Sequence, residues 1–477
     1  MNLWYTSDNK LLSVGEKMNF TDYKSEIANI VDKLRKNQIA VFCGAGATYD
    51  FTGKSWKDLF ESEFEINDKE EPNFYKFAQF YELHMSRSYL ETNISNAFSK
   101  KVTTTNYSKH IKALLQLPIT EFWTTNFDTV IESMIENETQ LIPSVIYNSE
   151  NLVKINENKK YKVFKMNGSL TDTKSMVITE NDYNKYLVEQ QVLFEQLKRE
   201  LILNSFIFIG YSFSDNLVLN CLSEIKRSLP HLNNFHYRVA VKDTEHPEFE
   251  KIEKRYFENS YNIKTIYVDD FNEIDDFLHH LHQLYKEKNI FISGSFRDFS
   301  TEEENYANKL CKALVEKLLD NGYNIYSGDG KRLGSYIISN SARKLMGLSE
   351  QYIHNKLTIM PYIDHTFKHK PAKDEERVSL IEKMISNCST SIFLYGQSEE
   401  GTHSEGVLTE FQVSQDNGLN VIPLVSTGFS AEKIFTTLKE NNLPYYLERY
   451  ENKLNSNDIE DITSTVIEIL KEINRKP

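Results

Sequence analysis

Apolar positions along this chain fall into two alternating kinds of run. Residues 23–36 carry them at helical spacing and lead into Gln38-Ile-Ala-Val-Phe-Cys43, an almost wholly apolar stretch of strand length that stops at glycine. Further strands are predicted at 121–125, 161–166 and 206–209, with helical patterns between them. Apolar strands separated by helices read as a parallel sheet covered on both faces. The most apolar stretch, 201–213, is too short to cross a bilayer and reads as a buried strand.

From about Lys286 the pattern restarts, with Asn289-Ile-Phe-Ile-Ser-Gly294-Ser295 as a second strand and glycine turn. Strands follow at 323–327, 390–395 and 420–425, alternating with helices at 306–319, 336–346 and 458–472. The acidic and polar segment 269–288, containing FLHHLHQLYKEK, is the expected closing helix of the first domain. The prediction is an α/β protein of two domains, 1–287 and a smaller 288–477, each a Rossmann-type parallel sheet.

A length of 477 residues suits two cores better than one. The net charge of −14 disfavours a broad contact with phosphate backbones and offers no general attraction to anionic lipid. Neither nucleic acid nor membrane is expected as a partner. The N-terminus, MNLWYTSDNK, lacks the layout of a secretion signal, so a soluble, cytoplasmic protein is expected. Cys43, Cys221, Cys311 and Cys388 are scattered without a C-x-x-C pair. They read as small buried residues, with neither a disulfide framework nor a metal site.

Four motifs fall at the C-terminal ends of predicted strands: Gly44-Ala45-Gly46-Ala-Thr48, Thr124-Thr125-Asn126-Phe-Asp128, Lys165-Met-Asn167-Gly168-Ser169 and Gly210-Tyr-Ser212. Open α/β sheets bind ligands at that edge. The first can bring backbone N–H groups close to a pyrophosphate, although a bare G-x-G is as readily a plain tight turn. Asn126 and Asp128 lie two apart, on one face in extended geometry. An amide there can orient water or hold ribose hydroxyls, and a carboxylate can accept from a carboxamide. The alternative is an Asn-Phe-Asp turn capping the helix at 129–136, with Ser212 and Asp215 as caps of a later helix.

In order and content these motifs resemble the NAD-binding core of the sirtuins and their bacterial sirtuin-like relatives, over residues 20–285. Trp56-Lys-Asp-Leu59 and Val177-Ile-Thr-Glu-Asn-Asp-Tyr183 also look like the bacterial branch. The resemblance implies NAD+ as substrate and no metal. It gives Gly44, Ala45, Gly46, Thr48, Thr125, Asn126, Asp128, Gly210 and Ser212 to NAD, with Asn126, Asp128 and position 167 as catalytic. The Cys pairs of the deacylating branch are missing, so NAD hydrolysis is expected over protein deacylation. Where the family places its catalytic histidine this chain has Asn167, which cannot accept a proton near neutral pH. An engineered trap, a natural inactivation and a tolerated change are all open; the first is favoured, because asparagine nearly matches the Nδ1 position of histidine.

The second half places Ser293-Gly294-Ser295-Phe296, Ser327-Gly328-Asp329-Gly330, Gly334-Ser335, Leu394-Tyr395-Gly396 and Glu405-Gly406-Val-Leu-Thr-Glu410-Phe411 at strand and helix ends. They outline a crevice for a phosphorylated ligand, or the ordinary tight loops of an α/β fold. This half resembles the SLOG family of nucleotide-ligand sensors, and the pairing resembles the sirtuin-like effectors of the Thoeris anti-phage system. The implied sequence of events is that a TIR-domain partner makes a cyclic ADP-ribose isomer, the SLOG domain binds it, and the first domain then hydrolyses NAD+. Tetramers or longer assemblies are implied. The expected signal contacts are Gly294, Ser295, Phe296, Gly328, Gly334, Ser335, Arg377 and Glu410, with Arg297, Lys331 and Arg332 as further candidate cations and His403 as a loop residue. A non-catalytic NAD- or signal-binding scaffold and a zinc-less deacylase are the alternatives.

Overall fold

Five residues, Ile39–Cys43 (β1), are buried without exception. That burial is why the stretch lacks polar alternation: a central strand of a parallel sheet has both faces covered. The computed structural model describes residues 20–53, 74–154, 159–214, 216–297, 299–328, 332–360, 374–398 and 400–474. Around β1 lie β2 (Glu121–Thr124), β3 (Ser144–Ile146), β4 (Lys162–Lys165), β5 (Ser205–Ile209), β6 (His236–Val241) and β7 (Ile263–Val268). All are parallel, in the order β3-β4-β2-β1-β5-β6-β7. One core layer packs Phe42, Trp123, Phe164, Phe206 and Phe208 against the helix Gln191–Leu203.

The second sheet comprises β8 (Asn289–Ser295), β9 (Asn324–Gly328), β10 (Leu357–Met360), β11 (Thr390–Tyr395) and β12 (Asn420–Pro423), parallel in the order β10-β9-β8-β11-β12. The helices Thr301–Asp320 and Ile459–Ile473 pack over one of its faces through Leu310, Leu314, Val466 and Leu470. The chain divides between His282 and Gln283, inside the helix Glu273–Lys286. No helix of the described residues is long and apolar enough to cross a membrane.

Two expectations need correction. The stretch 201–213 is not one strand: Leu201 to Leu203 end the helix Gln191–Leu203, and β5 begins only at Ser205. Gly334 and Ser335 lie within the first turn of the helix Leu333–Leu345, not before it. The four cysteines are free and buried, and burial pushes each thiol up.

His236, which opens β6, accepts from the Phe206 N–H at 3.1 Å on Nδ1, and burial, helped by Lys33, pushes its pKa down to about 3. Its folded-state pKa lies below the unfolded value, so its contribution is fully present above about pH 6.5. It fades toward pH 3, by up to about 1.4 kcal/mol per pH unit. Replacing it with glutamine is therefore expected to leave a protein whose melting temperature falls less steeply between pH 7 and 5. Equal slopes for the two proteins would show that another group dominates.

Candidate functional site

The four strands that end in the motifs are neighbours, β4-β2-β1-β5, and being parallel they bring all four motifs to one edge. From β1 the chain crosses to β2, and from β5 it crosses the opposite way to β6. The strand order therefore reverses between β1 and β5, where sheets of this kind open a crevice.

Two loop backbones touch at that point. A Cβ on Gly44 would lie 2.3 Å from the Gly210 carbonyl oxygen, and one on Gly46 2.8 Å from Gly210 Cα. On Gly210, at φ +60°, it would lie 2.2 Å from the Ala47 nitrogen. The Gly44 and Gly46 N–H groups donate to the carbonyls of Ile209 and Gly210, at 2.9 and 3.0 Å. The amides of these two glycines are thus taken up by the neighbouring loop, and the missing side chains serve the close approach of the two backbones. Of the amides from 44 to 48, only that of Ala45 lacks an acceptor among the described residues.

A directed hydrogen-bond chain runs beneath this contact. Asn126, with its own N–H held by Thr124 Oγ1 at 2.9 Å, turns its side chain toward the Gly44 carbonyl. A carbonyl only accepts, so the facing atom is Nδ2, at 3.1 Å; it also donates to Thr48 Oγ1 at 3.2 Å. Thr48 in turn donates to Asp128 Oδ2 at 3.2 Å. Thr48 is 1% exposed and joined at both ends, so its hydroxyl links Asn126 to Asp128. Asp128 Oδ1 accepts from the Val130 N–H at 3.0 Å, so the carboxylate of the site also caps the helix Val130–Thr139. Burial raises the pKa of Asp128, against the pull of Lys165.

Asn167 stands on the neighbouring strand end, buried. Its Nδ2 meets Tyr75 Oη at 3.2 Å, and its Oδ1 is buried without a partner among the described residues. An unpaired buried amide end costs about 1–3 kcal/mol, which a hydroxyl or water in the site would recover. Gly168, at φ +89°, turns the chain away, and the Val177 N–H returns to the Asn167 carbonyl at 2.9 Å. The segment Val177 to Tyr183 braces that return. Thr179 and Asp182 form a capping box, and Arg87 binds Asp182, Glu91 and the Met176 carbonyl.

The other predicted residues are more peripheral. Thr125 is half-exposed and Ser212 exposed, and Ser212 pairs with Ser214 at 2.8 Å, so it does not cap the helix Leu217–Ser228. Trp56 to Leu59 and Asp215 lie outside the described residues. Tyr75, Glu132 and a role for Lys165 went unpredicted. A lysine closing an apolar strand, with Glu132 among the apolar residues of the first turn of a following helix, was the available signal.

In the second unit the strand order reverses between β8 and β11. Gly294 sits there with no room for a side chain, its Cβ position 2.2 Å from the Leu394 carbonyl oxygen. The Ser295 carbonyl accepts the N–H groups of Gly396 and Gln397 at 2.9 and 2.8 Å. Phe296 is fully buried and stacked on Phe299 with ring centroids 4.4 Å apart, so its side chain belongs to the core. Glu410 is half-buried and accepts from Ser293 Oγ. Arg332, at φ +62°, donates to the Arg297 carbonyl at 2.7 Å, and the Arg297 N–H donates to Gln397 Oε1 at 3.0 Å. Gly328 ends β9, Gly334 is buried, and Ser335 and His403 are exposed. Asp329 to Lys331 and the side chain of Arg377 lie outside the described residues.

Comparison with known proteins matches residues 120–266 to a SIR2-like domain and residues 273–473 to the Sir2- and TIR-associating SLOG family. Over 458 residues, 91% of this chain and 94% of the relative, the sequence is 30% identical to a protein of Enterococcus faecium named NAD(+) hydrolase ThsA. Proteins of that name from Bacillus cereus (strain MSX-D12) and Acinetobacter baumannii (strain 532279) are 28% and 24% identical. The matches cover 93% and 91% of this chain and 97% and 95% of those relatives.

Proposed function

The chain belongs to the ThsA family of NAD(+) hydrolases, and from that premise we propose how its two units divide the work. The protein is an NAD(+) hydrolase, built from a SIR2-like domain followed by a SLOG domain. In the proposed reaction the bond between ribose C1′ and the nicotinamide nitrogen breaks, and its electron pair leaves with nicotinamide. Water attacks the resulting oxocarbenium carbon and loses a proton, giving ADP-ribose. Asn126 orients that water or the ribose hydroxyls through Oδ1, since its Nδ2 is already committed to Gly44 and Thr48. Asp128 accepts from the nicotinamide carboxamide. The observation that carries this reading is the Asn126–Thr48–Asp128 chain beside the unpaired amide end of Asn167.

In the same proposal the second unit is the sensor. It binds a cyclic ADP-ribose isomer made by a TIR-domain partner, and the bound form releases NAD hydrolysis within a tetramer or larger assembly in the cytoplasm, as an anti-phage response. A coupling free energy of about 3 kcal/mol suffices for a hundredfold switch. With asparagine at 167 the chain is a slow form of the enzyme.

Nicotinamide release with and without a cyclic ADP-ribose isomer tests the sensor role. The isomer is expected to raise release at least tenfold, and Glu410→Gln to shift the half-saturating concentration upward by about tenfold. Gly294→Glu is a poor probe, because its side chain would collide with the Leu394 backbone. A rate indifferent to every isomer would remove the sensor role.

A further inference from the structure

Beneath the site lies a cluster of charges that the proposed chemistry leaves unused. Lys165 has no exposed side-chain surface, and its ammonium donates to the main-chain carbonyl of Asp128 and to Glu132 Oε1, the latter at 2.9 Å. Glu132 is buried, and its Oε2 has no partner among the described residues. Such a pair is weak support for stability: desolvation offsets most of the attraction, and apolar residues of similar volume often do as well or better. Its place is more telling, because Lys165 ends β4, two residues before Asn167, and reaches across to the residue that completes the relay.

The ionisable groups facing Asp128 come from three elements: Cys43 from β1, Lys165 from β4 and Glu132 from the helix Val130–Thr139. Burial keeps Cys43 a neutral thiol, so Lys165 supplies the positive charge. An anionic Asp128 requires the Thr48 hydroxyl to donate to it, which leaves a lone pair on Thr48 for Asn126 Nδ2. A protonated Asp128 would compete for that role.

We propose that Lys165, anchored by Glu132, is a positioning residue of the NAD site: it fixes the Asp128 main chain and the direction of the relay that orients Asn126. This rests on the reading of Asn126 and Asp128 as substrate-facing. Among the charges acting on Asp128, Lys165 outweighs Glu132, and the two act in opposite directions. Loss of both therefore leaves Asp128 easier to protonate, and loss of Glu132 alone leaves it harder.

The test uses the full chain carrying Asn167→His, with kcat, KM and melting temperature followed from pH 5 to 9. Lys165→Met/Glu132→Leu is expected to fold, to lose about tenfold in kcat with KM changed less than about threefold, and to move the acid limb of the rate up by about one pH unit or more. Glu132→Gln is expected to move that limb down. An unchanged limb and kcat in a folded double variant would overturn the proposal, and so would loss of the fold, which would assign the pair to stability. A parent that neither binds nor hydrolyses NAD would instead bring down the site reading, and the proposal with it.

Discussion

Asn167→His is expected to raise nicotinamide release from NAD+ by at least tenfold, and by as much as about ten-thousandfold, the range over which a positioned general base acts. An amide cannot take a proton near neutral pH. The site is otherwise prepared for an imidazole: Gly168 and the Val177 N–H hold the backbone of residue 167, and Tyr75 Oη, which can donate or accept, stands against the side chain. In the asparagine form one amide end is buried without a partner. In the histidine form that place can hold the ring nitrogen that takes the proton from water or ribose. Chromatographic assay of nicotinamide at saturating NAD+, with the isomer present, gives the comparison. An unchanged rate would remove the base from the mechanism; no consumption by either form would leave the first unit as a binding scaffold.

Asn126→Asp, in the same histidine form, is expected to cost at least about a hundredfold in kcat, the loss typical when one preorganised polar contact is removed. The replacement keeps the shape and reverses the chemistry. A carboxylate oxygen would face the Gly44 carbonyl, where Nδ2 now donates at 3.1 Å, and a second acid would join Asp128 at opposite ends of Thr48. Two buried carboxylates so close cannot both ionise readily, so the variant takes up a proton or distorts the relay. If Asn126 were merely a residue of an Asn-Phe-Asp turn, the substitution would lower the melting temperature and leave kcat within about threefold. Measuring both separates the roles.

The central strands were legible because burial on both faces leaves a continuous apolar run, as in Ile39–Cys43 and Ser205–Ile209. Of the four strands absent from the sequence pattern, β3, β6, β7 and β10, three hide for physical reasons. β3 has only three residues, β10 is an edge strand of four, and β6 breaks its apolar run with buried His236 and Arg238. The error at 201–213 arose because the last helical turn is as apolar as the strand, with Asn204 alone marking the break. Motif order gave the edge of the sheet where ligands bind. It could not give Tyr75, which arrives from the helix Phe74–His84, nor the Lys165–Glu132 pair, which forms only when β4 and a helix meet. Nor does a missing Cβ say whether the space is left for a ligand or for another loop, so the sequence left both readings of Gly44 and Gly46 open.

That loop-to-loop contact also governs how inherited or induced lesions in this gene should be interpreted. Any amino-acid replacement at Gly210 places an atom about 2.2 Å from the Ala47 nitrogen, and replacements at Gly44 or Gly46 meet Gly210 in return. Null alleles at these three positions therefore report failed packing of the two loops, whichever larger residue is encoded. Ala45 already carries a Cβ and Ser212 is exposed, so alleles at those positions escape this clash and their partial phenotypes can be ranked.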